Sequence, residues 1–372
     1  MNEQQLIIFL QQAFGAEKLG ADVIKSVEAY FRGSMEQIQA IVAALPDDSL
    51  VRELLWNRSL PEVQQALQGY NDAFAQELIG QMTEYGPEQA EAAAKILEAG
   101  APGRPVIQAQ LPSSVARQLA ANTEFVNTKL INFFDGPFVR NNVETINRVV
   151  RQGMLQSLTT EEIAKQVQSV GENIMRSEAR TVARSSIQAF NNSVNNDVWS
   201  NHTDLIDAWE WVAVLDSRTC PTCAPLDGEV KKKRSDFPFA PPAHPNCRCQ
   251  VMPYWEDEDV RKRSAQQVYA DQQEGPRAYK TKVKVKGDKL HRKAVDVKGK
   301  DGKTPTYADF LAGTNRKTLQ MFFGGGNAGS IRAERFLRLN ERYNNPQRAL
   351  NALLNSDKGG VKRFKPVDKL PK

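Results

Sequence analysis

Apolar residues recur every three to four positions through the first hundred residues, a spacing that predicts helices. Residues 3–14 place Leu6, Phe9, Leu10 and Phe14 on one face. Residues 21–45 continue with Val23, Ile24, Val27, Phe31, Ile38, Ile41 and Val42. Pro46-Asp47-Asp48-Ser49 then reads as a stop followed by a new cap. Two more helices are expected over 61–85 and 87–99, each opening on a proline, whose missing amide is tolerated in a first turn. Gly and Pro dominate 100–105, which reads as a linker. Helical spacing resumes over 113–122, 127–134 and 137–156. A short helix follows, capped by Thr159 or Thr160 and ended by Gly171. The next, 172–201, is long, with Ala179, Ala183, Ile187, Phe190, Val194 and Val198 on one stripe. These stripes are the inward faces of a helical core, with a docking face for a partner protein as the alternative.

The pattern changes at 207–215, where Trp209, Trp211 and Ala213 alternate with Glu210 and Val212 as in a strand. Residues 250–255 supply a closing strand. The loop between, 224–243, holds four prolines and the run Lys231-Lys232-Lys233-Arg234, and has little core of its own. Beyond it a charged helix is expected over 256–273, then a lysine-rich stretch. A Gly-rich turn at 324–329 precedes a helix over 330–343, and 356–372 is a loose, basic end. The fold class expected is mainly α with a small β-rich, metal-stapled module, an α+β chain of several segments extended in sequence. Four regions follow: an acidic helical domain over 1–100, a helical region over 106–201 ending in the long helix, a metal-binding β module over 202–256, and a basic arm with short helices over 257–372.

All four cysteines of the chain lie within this module. Cys220 and Cys223 form a C-x2-C pair, and Cys247 and Cys249 stand in H-P-N-C-R-C after His244. Zinc takes four thiolate or imidazole ligands in a tetrahedron, and C-x2-C turns two thiols of one tight loop toward a single ion. Cys220, Cys223, His244, Cys247 and Cys249 are five candidates for four places, and the spacing leaves open which one is unused. A protein that can fill all four positions points to a structural ion rather than a catalytic one with an open position. Two disulfides or free thiols are the other readings, and disulfides need an oxidising compartment. The N-terminal residues show neither the basic start nor the cleavage site of a secretory leader. A zinc-deaminase site is excluded, because only His202-Thr203-Asp204 could supply its upstream motif and no proline precedes Cys220. His202 and His291 read as surface residues.

Around these ligands lie Ser177-Glu178-Ala179-Arg180-Thr181-Val182-Ala183-Arg184, the strand Ala208-Trp209-Glu210-Trp211-Val212-Ala213-Val214, then D-S-R-T-C-P-T-C with Leu226-Asp227-Gly228. Pro241-Pro242-Ala243-His244-Pro245-Asn246-Cys247-Arg248-Cys249 closes the set. In this order the motifs resemble the head morphogenesis, or minor head protein, family of tailed bacteriophages, the phage Mu protein F-like family, over residues 125–255. The chain departs from it at Arg184-Ser185-Ser186, where relatives often carry Arg-Thr-Glu. A weaker resemblance covers Thr306 to Leu311 and Phe322 to Arg332. The resemblance implies a virion protein present in few copies, acting at the portal vertex during head assembly, with no enzymatic reaction. Its expected partners are the portal protein and, beyond it, the major capsid or scaffolding protein. Viral DNA is a further candidate, since some members bind DNA or leave the head with it. The implied location is the virion head near the portal, after assembly in the host cytoplasm.

Charge sharpens one part of this reading. Residues 1–105 carry 7 Lys+Arg against 15 Asp+Glu, a net of −8, whereas residues 271–372 carry 24 against 10, a net of +14. Within the basic end, Lys280, Lys282, Lys284 and Lys286 alternate with apolar residues, and Lys289, Arg292 and Lys293 extend the run. Such a run can neutralise nucleic-acid phosphates, dock on an acidic protein surface, or be a solvated edge strand. No apolar stretch approaches the ~18 residues of a membrane helix, and no small-molecule site is apparent. Two other functions remain open on sequence: a nuclease or toxin-type effector at the C-terminus of a head protein, and a zinc-dependent DNA-binding protein.

Overall fold

The computed structural model describes residues 3–46, 49–101, 103, 109–125, 128–215, 219–255 and 306–356. The charged helix expected over 256–273 and the lysine run at 280–293 lie outside them. The chain is mainly helical with one small three-stranded sheet, as expected. No helix among the described residues is long and apolar enough to cross a membrane.

In chain order the helices are α1 (Glu3–Ser26), α2 (Glu28–Ala43), α3 (Ser49–Gly100) and α4 (Ser113–Asn122). A two-residue ladder pairs β1 (Glu124–Phe125) with β2 (Thr128–Lys129), where a helix over 127–134 was expected. Then come α5 (Leu130–Phe133), a π-helical turn (Phe134–Phe138), α6 (Val139–Leu155), α7 (Thr160–Asn173), a second π-helical turn (Ile174–Ala179) and α8 (Arg180–Ser200). The sheet is built from β3 (Ala208–Val212), β4 (Val230–Lys231) and β5 (Gln250–Tyr254). Four helices end the described chain: α9 (Tyr307–Gly313), α10 (Arg316–Phe322), α11 (Gly326–Tyr343) and α12 (Pro346–Ser356).

Two sequence expectations about helix ends fail for the same physical reason. α3 runs for 52 residues straight through Pro61 and Pro87, rather than breaking into separate helices. Its buried stripe, Trp56, Val63, Leu67, Tyr70, Phe74, Leu78, Met82, Ala90, Ala93 and Leu97, keeps helical phase across both prolines. The burial of that stripe outweighs one lost hydrogen bond and a carbonyl clash at each proline. Gly171 likewise does not end its helix. It is buried where a Cβ would stand 2.6 Å from the Met35 side chain, so glycine serves close packing of α7 on α2. The cap at the other end of α7 is as expected. Thr159 accepts from the Glu162 amide, and the Glu162 carboxylate accepts from the Thr159 amide, a reciprocal pair that satisfies two otherwise orphaned donors.

The chain divides into two compact units. One comprises 16–86 and 111–190. Its core is aromatic: Tyr70 packs edge-on to Phe31 at 5.1 Å between centroids, and Phe74 meets Phe134 at 5.0 Å. Phe138 closes the cluster against Phe134 at 5.6 Å. Polar ties fix the helices around it, with Ser34 donating to the Ala66 carbonyl at 2.6 Å and the Trp56 indole to Asn147 at 2.8 Å.

The other unit comprises 1–15, 87–110 and the chain from 191 onward. Here the ends of α1, α3 and α8 carry the sheet, in which β3 lies between β4 and β5, antiparallel to both. Trp211 pairs with Val251 and Glu210 with Met252 in the central register. Every residue of β3 is buried, so this strand is covered on both faces. Gly100, expected in a linker, is instead the last residue of α3. A Cβ there would fall 2.2 Å from the Trp255 ring, and the Trp255 indole donates to the Leu205 carbonyl at 2.6 Å.

Candidate metal centre

The cysteines sit on the loops that leave and enter this sheet. After β3 the chain turns at Cys220–Cys223, where the Cys223 and Ala224 amides donate to the Cys220 carbonyl at 3.2 and 3.0 Å. The Cys223 amide also points at the Cys220 sulfur, 3.3 Å away. The tight turn is what places both sulfurs on one side. The second pair precedes β5. The Cys247 amide donates to the His244 carbonyl at 3.1 Å, and Asn246 takes the left-handed conformation (φ 60°) that asparagine tolerates better than most residues.

All five expected ligands are buried and come together. His244 Nε2 lies 2.9 Å from the Cys220 sulfur and 3.5 Å from that of Cys223, and the Cys223 and Cys247 sulfurs are 3.9 Å apart. Cys220, Cys223 and His244 form one group able to hold an ion, and Cys223, Cys247 and Cys249 form another, with Cys223 common to both. His244 Nδ1 is 2.8 Å from the Pro245 carbonyl, which suits a proton on Nδ1 and leaves Nε2 facing the sulfurs.

The donor set fits a tetrahedral ion. Thiolates about 2.3 Å from such an ion stand about 3.8 Å apart, close to the Cys223–Cys247 separation. A disulfide needs sulfurs about 2.05 Å apart, and all four cysteines are free. Electrostatics favour a cation as well. Hydrogen bonding with Cys223, opposed by burial and aided by His244, lowers Cys220 to about 5. Cys247 is also lowered, by Cys223 first and Cys249 second. The Cys223 thiol is pushed up by its hydrogen bonds with Cys220, Cys247 and Cys249 and by burial. Cys223 works to lower Cys249, but Cys247 and burial outweigh it and push that thiol up. Burial works against a charged His244, but its bonds to the Cys220 and Cys247 sulfurs override that and raise it to about 11. Four sulfurs this close cannot all ionise unless positive charge joins them.

The loop between the pairs has more core than its composition suggests. Phe237 and Phe239 pack on Trp211 at 5.8 and 5.3 Å between centroids. Arg234, from the lysine-rich run, lies over the Trp209 ring and bonds to Asn196. His202 follows α8, half-buried and away from the cluster, whereas His291 lies outside the described residues. Lys280, Lys282, Lys284, Lys286, Lys289, Arg292 and Lys293 also lie outside the described residues.

Sequence reasoning missed the side chains that hold the ligand loops. Asn192 donates to the carbonyls of Pro241 and Cys249 at 3.0 and 3.3 Å, clamping the segment that carries His244 and Cys247. One turn on, Asn195 joins a buried amide cluster with Gln12, Gln89 and Gln250. Asp227, 2% exposed, accepts from the Ala213 amide at 2.6 Å. A signal was present: Asn191, Asn192 and Asn195 crowd a helix interior that asparagine disfavours, on the flank of its apolar stripe.

No curated protein and no solved structure matches the chain. Residues 144–252 match the family model described as Phage Mu protein F like protein, a span from within α6 to within β5 that holds all five candidate ligands, so this segment is similar to the phage Mu protein F-like family.

Proposed function

We propose that this chain is a structural protein of phage head assembly, acting at the portal vertex through a helical platform and a zinc-stapled module. The family match over residues 144–252 supports a part in head morphogenesis, contacts with other head components and a place in the virion. The observation that carries the mechanism is the convergence of Cys220, Cys223, His244, Cys247 and Cys249 inside the matched segment. Four of these five would hold zinc, which would supply no reaction but would join the loop after β3 to the loop before β5. Such an ion contributes folding free energy directly, since the unfolded chain has no preformed site. Sulfur and imidazole donors select zinc over harder ions, which take oxygen. The portal protein is the expected partner, with viral DNA a candidate for the basic end of the chain.

Two measurements test this reading. Metal analysis of the purified chain is expected to find about one zinc per molecule, and a metal-free protein that remains folded overturns the zinc assignment. Mass spectrometry of purified particles is expected to find the protein at low copy number beside the portal. Its absence from particles overturns the structural role.

A further inference from the structure

We infer that the metal-bearing turn is the socket on which the C-terminal helices dock, so that metal loading fixes residues 306–356 in place and metal loss releases them. The inference rests on the zinc reading above. The Cys220–Cys223 turn continues directly into a short 3-10 turn, Ala224–Leu226. What covers that turn is the C-terminal unit. Ala224 and Leu215 belong to the same buried cluster as Tyr307, Leu311, Phe322 and Leu350. Gln347, on α12, donates to the Pro225 carbonyl at 2.8 Å.

Asp227 makes the joint specific. One carboxyl oxygen accepts from the Ala213 amide at 2.6 Å, which closes the loop after β3. The other accepts from the Tyr307 amide at 2.6 Å, which is the first amide of α9 and has no partner within its own helix. A single carboxyl therefore ties the metal loop and caps the first C-terminal helix. Gly228 beside it has φ +81°, and a Cβ there would meet the Thr306 methyl at 2.9 Å, so glycine lets the two segments approach closely.

The consequence is coupling. The turn from 220 to 228 is held at one end by Cys220 and Cys223 and at the other by β3, where the Gly228 amide donates to the Trp211 carbonyl at 2.8 Å. Without an ion the first anchor is lost, and Ala224, Pro225 and Asp227 no longer hold the positions the C-terminal helices need. Linkage makes the effect mutual: whatever factor metal adds to docking, docking adds to metal affinity.

The test is hydrogen exchange by mass spectrometry on the full chain, zinc-loaded and chelator-treated, with zinc counted in the same samples. Stripping zinc is expected to speed exchange in residues 307–322 by roughly tenfold or more, the loss of a buried acceptor alone being of that order. Asp227→Asn, at full zinc occupancy, is expected to reproduce part of that loss at the start of α9. Leu350→Asp, which undocks α12, is expected to weaken zinc retention against a competing chelator. Loosening of 219–255 on stripping while 306–356 keeps its protection overturns the coupling and leaves the metal site standing. Failure of the chain to take up zinc at all overturns both.

Discussion

Replacing Asn195 with alanine isolates the polar layer that seats the metal module. Asn195 is fully buried on α8. Its amide nitrogen donates to Gln12 and Gln250, each at 3.1 Å. Its oxygen accepts from Gln89 at 2.8 Å and from Gln12 at 3.3 Å. Alanine removes all four bonds. Gln250 still reaches Gln12 at 3.2 Å, so that pair partly survives. Four buried groups lose the Asn195 partner; the Gln12 oxygen keeps Gln250, which leaves three stranded within the cluster: the amide nitrogens of Gln12 and Gln89 and the oxygen of Gln250. A stranded buried polar group costs about 1–3 kcal/mol. Even the low end gives about 3 kcal/mol, roughly a hundredfold in a local opening equilibrium. Native-state hydrogen exchange at the amides of β3 and β5 reads that equilibrium directly. Asn201→Ala, exposed at the end of the same helical run, is the control and is expected to stay within about 0.5 kcal/mol. Protection in Asn195→Ala within a few-fold of the parent chain would falsify the claim that this cluster seats the sheet.

Other outcomes follow from single contacts. Gly153→Ala and Gly171→Ala each place a Cβ 2.6 Å from a neighbour, Ile163 and Met35 respectively. Because β-branched isoleucine is stiff and methionine is pliant, thermal melts are expected to show a loss of about 1–3 kcal/mol for the first and distinctly less for the second; equal losses refute the argument. Thr159→Ala removes the reciprocal cap of α7 and is expected to cost about 1 kcal/mol in a denaturant titration. Hydrogen bonds from Thr159 hold the Glu162 carboxyl below its ordinary range, so the contribution of Glu162 is present at neutral pH and fades as the pH falls through that lowered value. Cys223→Ser is expected to abolish zinc binding, since Cys223 alone belongs to both ligand groups. Whichever of Cys220→Ser, His244→Ala, Cys247→Ser and Cys249→Ser retains one zinc per chain identifies the spare ligand.

The cluster able to hold a metal was legible because its chemistry is concentrated. Few residue types bind zinc tightly, and all four thiols and the histidine lie in one stretch of sequence. The strands at 208–212 and 250–254 were legible from alternation and from their place beside the ligands. β4 was not, because a two-residue strand offers no period to read. The continuity of α3 was hidden for a different reason. Proline is a local signal, whereas the stripe that carries the helix past Pro61 and Pro87 is a tertiary one. The partners of Asp227 were beyond sequence altogether: they lie 14 residues before it in one case and 80 after it in the other.

These contacts divide the task of holding a small module among several distinct parts. The sheet has only three strands, one of them two residues long, too little to be stable alone. The proposed ion would join loop to loop. The Asn192 and Asn195 amides join those loops to the helices, at the Cys249 carbonyl and at Gln250. Asp227 joins them to the C-terminal unit. Polar ties of this kind are directional, so each fixes an orientation that apolar packing alone leaves loose. The head-assembly role proposed above requires the module to present one surface in one orientation. A module fixed by directed bonds meets that demand with little core of its own, and loss of any one tie is expected to change its orientation before it unfolds the helices that carry it.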